Sequence, residues 1–292
     1  MERNICSGEM GGKRKWPDDL TPNAWMSLPS SVLFHLFPLP VPYLPALRLQ
    51  QSIHQWQLAQ RRDNPDSHRD VILLLQHRPV YTAGRRQTDD ELAPEMNRLS
   101  KMGADFVKTK RGGQTTYHGP GQLVVYPLLD LARAKMSVRD YVCFIQTSIK
   151  RRLLDAHGMH SIPSDNTGVF MDEFTKVASI GVQVQHRLTM HGLALNVTSE
   201  PKAWFKQVVA CGLADVKAGS ISDYSNRNEV SVEAEAEGML CDMAGRLGRE
   251  IEPALAPGGK TVDSYLQTLL KEAEDEASNA GPWLNKPRLT RD

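Results

Sequence analysis

Three groups of residues in this chain have types and spacings that can do chemistry. The first is Cys211, in the run Val-Val-Ala-Cys-Gly-Leu at 208–213. A cysteine in an apolar setting is ordinarily inert core. A glycine directly after it opens backbone access to the sulfur. The second is Lys176, where the polar run Met171–Thr175 gives way to the apolar strand pattern KVASIGV. A lysine at a strand start is ordinarily a solvated edge residue. The third is RGGQTTYHGPGQLVVY at 111–126, with four glycines and a proline around Arg111, Tyr117, His118 and Gln122. Glycine permits close backbone approach and positive φ. Such a loop packs poorly and wraps a ligand well; its plain structural reading is a glycine-rich hairpin.

Cysteine and lysine together suggest an activated nucleophile. A free thiol with a pKa of about 8.5 is only a few per cent thiolate at neutral pH. An ammonium within about 4–6 Å favours the thiolate by about a unit or more. A lysine that is itself partly desolvated can also pass a proton to and from an attacking amine.

The chain is long enough, at 292 residues and 40% hydrophobic, for one large domain or two small ones. Its net charge of +1 supplies no global field toward nucleic acid or membrane. Apolar runs such as VILLL at 71–75 are far shorter than the roughly 20 residues of a spanning helix, so a soluble protein without a membrane span is expected. The four cysteines, Cys6, Cys143, Cys211 and Cys241, show no CxxC spacing and no disulfide framework. His157 and His160 form a metal-like pair without a second ligand cluster, so no metal and no cofactor are expected.

These groups need a scaffold. Residues 1–31 read as a disordered or targeting extension, 32–272 as the catalytic body, and 273–292 as a polar disordered tail. Within the body, strands are predicted at 32–37, 71–75, 104–109, 123–129, 168–170, 176–185 and 191–197. Helices are predicted at 44–62, 138–157 with Gly158 as its C-cap, 201–209, 231–247 and 262–273. Short strand-to-strand links predict an α+β fold with a mixed, mostly antiparallel sheet flanked by helices.

Five segments together resemble the octanoyltransferase (lipoyltransferase) family of lipoate biosynthesis. They are HRPVYTAGRR at 77–86, RGGQTTYHGPGQLVVYPLLDL at 111–131, KVASIGV at 176–182, HGLALNV at 191–197 and CGL at 211–213, in the family's order. The chain departs from the pattern in having Ala210 where the family usually has proline before the cysteine. The acidic segment Glu229–Glu237 matches nothing in it. The resemblance implies the catalytic-domain fold of biotin and lipoate protein ligases. It implies that Cys211 takes octanoyl from octanoyl-acyl carrier protein as a thioester, with Lys176 as its catalytic partner. Arg111, Gly112, Gly113, Gln114, Thr115, Thr116, Tyr117 and His118 would line the substrate pocket. So would Ser179, Ile180, Gly181, Gly192, Leu193 and Ala194. The acceptors implied are lipoyl domains of 2-oxoacid dehydrogenase E2 subunits and glycine cleavage H protein, with no nucleic acid.

The energetics suit that chemistry. Thioester exchange is nearly isoenergetic and thioester to amide is downhill, so no nucleotide is required, and the chain has no GxxxxGK[ST] phosphate loop. Passing the acyl group through cysteine divides one hard step into two easier ones. Amides of Gly212 or the Gly112–Gly113 turn are candidate oxyanion donors, each worth about 3–4 kcal/mol. The cationic Arg85, Arg86, Lys108, Lys110 and Arg111 surround the motif loops and suit an acidic carrier. Competing readings are an ATP-dependent lipoate-protein ligase of the same fold, a Cys211 hydrolase using His118 or His191, and an inactive carrier-binding protein. The N-terminal extension points to a mitochondrial protein despite Glu2, Glu9, Asp18 and Asp19; the alternative is a bacterial-type cytoplasm.

Overall fold

The computed structural model describes residues 31–64, 68–208, 215–225, 230–255 and 263–288. Cys211 and almost all of the extension at 1–31 lie outside the described residues.

The elements run β1 (Ser31–Leu36), α1 (Tyr43–Asp63), β2 (Val71–Leu75), β3 (Val80–Ala83), α2 (Asp89–Lys101), β4 (Asp105–Lys108), β5 (Thr116–His118) and β6 (Gln122–Leu128). There follow α3 (Val138–His157), β7 (Val169–Asp172), β8 (Thr175–Gln185), β9 (Leu188–Asn196), α4 (Glu200–Phe205), β10 (Lys217–Ala218), α5 (Val232–Leu247), β11 (Glu250–Pro253) and α6 (Ser264–Asn279). The main sheet has the order β10-β8-β9-β6-β2-β1-β11, with β7 also on β8; a small sheet has the order β4-β3-β5.

The sheet is mixed. Its long central ladders, β2 with β6, β6 with β9 and β8 with β9, are antiparallel, while β1 pairs in parallel with both β2 and β11. β2 is the apolar run VILLL, buried throughout because its side chains alternate into two cores. Ile72 and Leu74 join Tyr141, Ile145 and Ile149 of α3 and Met239 and Met243 of α5. Val71, Leu73 and Leu75 join Leu49, Ile53 and Trp56 of α1 and Leu266 and Leu270 of α6. Helices thus cover both faces. A third core, under the small sheet, stacks Tyr117 on Trp204 at 5.4 Å, beside Tyr81 and Phe205.

The helix ends are written locally. α3 starts at a capping box of Ser137 and Asp140 and stops at Gly158, left-handed with φ 65°. α2, which the apolar pattern does not predict, is announced by another capping box, Thr88 with Glu91. β3 and β5 are further elements the sequence pattern missed, being short and held by pairing with each other. The polar tail expected from Ala273 starts later. α6 runs on to Asn279 because Leu266, Leu270 and Ala273 are buried against α1. Beyond it Arg78 lies over the Trp283 ring at 5.7 Å, and Leu284 packs on the third core. From Val232 on, the acidic segment forms the first turns of α5; its Glu235 is buried and bonds Arg152 and His157. That pairing occupies His157, while His160 is exposed. Cys143, buried on α3, is disulfide-bonded, a correction to the expectation from cysteine spacing. Among the described residues no three His, Cys, Asp or Glu gather as a metal group, and no helix is long and apolar enough to cross a membrane.

One buried ion pair ties the sheet edge to its centre. Asp70 (2% exposed) pairs with Arg249 and accepts the Asp130 amide at 2.9 Å; Arg249 also donates to the Ser31 carbonyl at 2.9 Å. Removing only the cation strands a buried carboxylate. Arg249→Leu is therefore expected to lower unfolding free energy by about 3–5 kcal/mol in urea titrations. A loss within about 0.5 kcal/mol would show that solvent reaches Asp70.

Candidate active site

The cleft is floored by one piece of antiparallel ladder. Ser179, Ile180 and Gly181 of β8 stand opposite Ala194, Leu193 and Gly192 of β9, and all six line it. Two triplets singled out separately in the sequence are register partners. The glycine-rich loop forms the opposite wall through Arg111, Gly112, Gly113, Gln114, Thr116 and His118.

Arg111 braces that loop from inside. It is only 6% exposed. Its Nη2 donates to the Thr82 carbonyl (2.5 Å), Thr82 Oγ1 (2.8 Å) and the Gln114 carbonyl (3.0 Å). Its place in a surface basic cluster is thus corrected: the charge faces the cleft, while Arg85, Arg86, Lys108 and Lys110 stay exposed. Gly113 has φ +90°, a conformation that excludes a β-branched residue. The Gly112 amide donates to the Val182 carbonyl at 3.1 Å, which clasps the loop to β8. That amide is committed there and is not an oxyanion donor.

Thr115 and Tyr117 do not line the cleft. Thr115 bonds the Gln87 side chain at 2.8 Å, and Tyr117 points into the aromatic core. Alternation along β5 sends Thr116 and His118 one way and Tyr117 the other. Lys176 is not a solvated edge residue. It is buried on β8, between Phe170 of β7 and Ala218 of β10, with its Nζ 5.5 Å from the Phe170 ring centre. Its side chain crosses Gly168, where any Cβ would collide with Lys176 Cε. Lys176 lies on the strand that floors the cleft without lining the cleft itself.

Three cleft residues were absent from the pocket assignment made on sequence: Tyr43, Tyr126 and His191. Tyr43 comes from α1, where helical spacing disguises it as core. His191 sits in the HGLALNV motif, so its signal was available. It has φ +60° inside β9, a strained state for a bulky residue. Its backbone amide is satisfied by Gln50 Oε1 at 2.8 Å, and its ring nitrogens are buried without a hydrogen-bond partner among the described residues. Behind it, His77 Nδ1 donates to the Val41 carbonyl (2.9 Å), so Nε2 accepts from the Tyr126 hydroxyl (2.7 Å).

The cleft strongly favours neutral rings. Burial, then the Arg111 and His77 charges, lowers His191 to about 3. Burial lowers His77 to about 4. Burial, then His77 and Arg111, holds His118 well below the ordinary histidine value. Burial raises Tyr43 to about 12 despite Arg111, and raises Tyr126 well above 10.

A helix-covered mixed sheet with this loop-walled cleft is the catalytic fold of the lipoate protein ligases. Lipoate-protein ligase A bound with ATP superposes with a TM-score of 0.57 at 15% identity, over 85% of this chain and 97% of that one. A bipartite ligase from Thermoplasma acidophilum gives 0.53 at 14% identity, over 86% and 94%. The profile of the lipoyl protein ligase A/B catalytic domain matches residues 42–244, and the chain belongs to that family. A mitochondrial octanoyl-[acyl-carrier-protein]:protein N-octanoyltransferase of Danio rerio is 38% identical over 188 residues, 64% of this chain and 80% of that one. An octanoyltransferase of Desulfotalea psychrophila is 36% identical over 184 residues, 62% and 78%. The mitochondrial octanoyltransferase of Arabidopsis thaliana is 34% identical over 186 residues, 62% and 74%.

The lowered histidines fix an acid response. On unfolding they return to about 6.5 and bind protons that the folded chain refuses. Their stabilisation is full above about pH 6.5 and is lost as pH falls toward 4. Asp130 acts lower. Burial alone would raise it, but bonds from His68 and the Ala132 and Arg133 amides bring it to about 2. Thermal melts should therefore show Tm falling by about 5–10 °C between pH 7 and pH 4.5. A constant Tm over that range would mean that the rings are not buried as neutral groups.

Proposed function

We propose that this protein transfers octanoyl from octanoyl-acyl carrier protein to a specific lysine of lipoyl domains, through a thioester on Cys211, in lipoate biosynthesis. The observation that carries this reading is the buried amine of Lys176, on the strand that floors the cleft, in a chain whose relatives are named octanoyltransferases. In the first step the Cys211 thiolate attacks the carrier thioester, the octanoyl–sulfur bond re-forms on Cys211, and the carrier leaves as a thiolate that takes up a proton. In the second, the acceptor amine attacks, an amide forms, and the Cys211 thiolate leaves. Lys176, as an ammonium, stabilises the thiolate before acylation; once that thiolate is consumed the ammonium loses its proton to solvent, and the free amine then takes the proton of the attacking amine. The acceptors are lipoyl domains of 2-oxoacid dehydrogenase E2 subunits and the H protein. The compartment is the mitochondrion, in keeping with relatives from animals and plants, although bacterial relatives match as well.

One feature weighs against the hydrolase reading. His118 and His191 have lowered pKa values and are weak bases at neutral pH, which disfavours a Cys–His hydrolase. The ATP-dependent ligases share the fold at 15% identity or less, so the fold alone does not separate them from this chain. An assay of transfer without nucleotide would separate them.

Intact mass after incubation with octanoyl carrier protein under reducing conditions tests the proposal. Native protein should gain one octanoyl group without ATP, and Cys211→Ala none. Lys176→Arg keeps the charge but cannot release its proton. It should acylate and then lose most of the transfer step, whereas Lys176→Ala loses both. An adduct that survives in Cys211→Ala, or strict ATP dependence, would sink the reading.

The exposed Arg85 and Lys110 flank the cleft loop and suit docking of an acidic carrier. Reversing both to Glu should cut turnover with carrier-bound octanoyl by about tenfold at low salt, and less as salt rises. Turnover with octanoyl on a small thiol should not change. Equal losses on both donors would place the defect in the site itself.

A further inference from the structure

We infer that the protein holds His118 as one neutral tautomer, with its Nε2 lone pair facing the cleft to accept an N–H of the substrate, and that Gln122 and Asn196 are the positioning residues that set it. The substrate half of this inference rests on the acyl-transfer reading above; the tautomer half stands alone.

Hydrogen-bond polarity carries the argument. A backbone carbonyl can only accept. Asn196 places its amide end 2.8 Å from the Gly219 carbonyl oxygen, so that end is the NH2 and the other is Oδ1. Gln122 reaches two acceptors, the Tyr117 carbonyl at 3.3 Å and Asn196 Oδ1 at 2.9 Å, so its near end is also NH2. Gln122 Oε1 then stands 2.8 Å from His118 Nδ1. An amide oxygen has no proton to give, so Nδ1 carries the proton and donates. In a neutral ring Nε2 is left bare. The carbonyls of Gly219 and Tyr117 fix the two amides independently, and turning either over would set oxygen against oxygen. Gln122, Asn196 and His118 are 1%, 4% and 8% exposed, so water does not relieve a mismatch.

The groups that face the ring favour its neutral form. Tyr43 of α1 stacks on it at 6.1 Å with planes 10° apart, and His77 lies 5.8 Å away. Arg111 from the loop and His191 from β9 complete the surroundings, and the Arg111 charge opposes a second cation. A neutral acceptor of this kind orients an N–H without removing its proton. Two substrate groups offer one: an amide in the carrier's thioester arm, and the acceptor amine. The chain of bonds also continues outward. The Gly219 amide donates to the Lys176 carbonyl at 2.9 Å, so the pairing that seats Lys176 also anchors the tautomer of His118.

Nitrogen-15 NMR of the histidine-labelled full chain tests the tautomer, with His118→Phe identifying the signal. The expected pattern is a neutral ring protonated at Nδ1 from pH 8 to pH 5. A ring protonated at Nε2, or one that titrates near 6.5, would overturn the inference whatever the transfer assay shows. In Gln122→Glu a carboxylate faces Nδ1–H and raises the ring's pKa. Its activity should show an acidic limb at higher pH than that of the native chain; superimposable profiles count against the relay. Should the buried carboxylate prevent folding, the native tautomer decides. His118→Phe should slow by about 10- to 100-fold the half-reaction whose N–H is received. Slower acylation assigns the carrier's arm, slower transfer from preloaded enzyme assigns the acceptor amine, and no loss in either step refutes the substrate contact.

Discussion

The ladder between β8 and β9 is the constraint on which the rest of the site depends. It sets Ser179, Ile180 and Gly181 against Ala194, Leu193 and Gly192, and so makes one continuous floor from two separate stretches of chain. Its register is set at the two-residue turn His186–Arg187, both in positive φ, as a tight hairpin requires. Arg187 pins that turn by donating to the carbonyls of Leu131 at 3.1 Å and Met136 at 2.6 Å. A slip of one residue would turn every floor side chain to the other face. Lys176 is the second residue of the same strand, so the turn also decides where the amine stands relative to the floor.

The opposite wall is held by a charge rather than by packing. A glycine-rich loop has little side-chain volume to anchor it. Arg111 supplies the anchor by binding carbonyls of the loop and of β3, which joins the loop to the small sheet. A guanidinium suits this role because it stays protonated and offers several donors in fixed directions. The cost is a buried cation at the cleft wall. Its field adds to burial, the larger cause, in lowering the pKa values of His118 and His191. Burial and this one charge together give a cleft of neutral rings and phenols around the Arg111 guanidinium.

Such a cleft does not resemble a proton-abstracting site built on histidine. It resembles a recognition site. That suits the acyl transfer proposed above, in which neither thioester exchange nor amide formation needs an external energy source. On that reading the site holds two large partners in turn and keeps water from the intermediate. Tyr43 and Tyr126, held as un-ionised phenols, and the apolar floor serve that purpose.

Much of this was legible in the sequence, and for definite reasons. Binary pattern and caps located α1, α3, β2 and β8, because each carries its own periodicity or end signal. The glycine loop, KVASIGV and HGLALNV declared the two walls, because a close backbone approach needs particular residues at particular places. Other features depended on contacts distant in sequence. β3 and β5 exist through their pairing with each other, and Thr115 and Tyr117 leave the cleft only once β5 has a register. The late end of α6 required its burial on α1. Arg111 read both as a pocket residue and as part of a basic patch; its bracing of the loop was hidden because its acceptors are backbone carbonyls, which no side-chain pattern records. The burial of Lys176 also had to await the fold, because a strand start looks the same whether or not β7 and β10 flank it. The order of the motifs names the chemistry; only the assembled sheets decide which side chains face the cleft, and in what protonation state, since burial and hydrogen-bond polarity are properties of neighbours brought together by the fold.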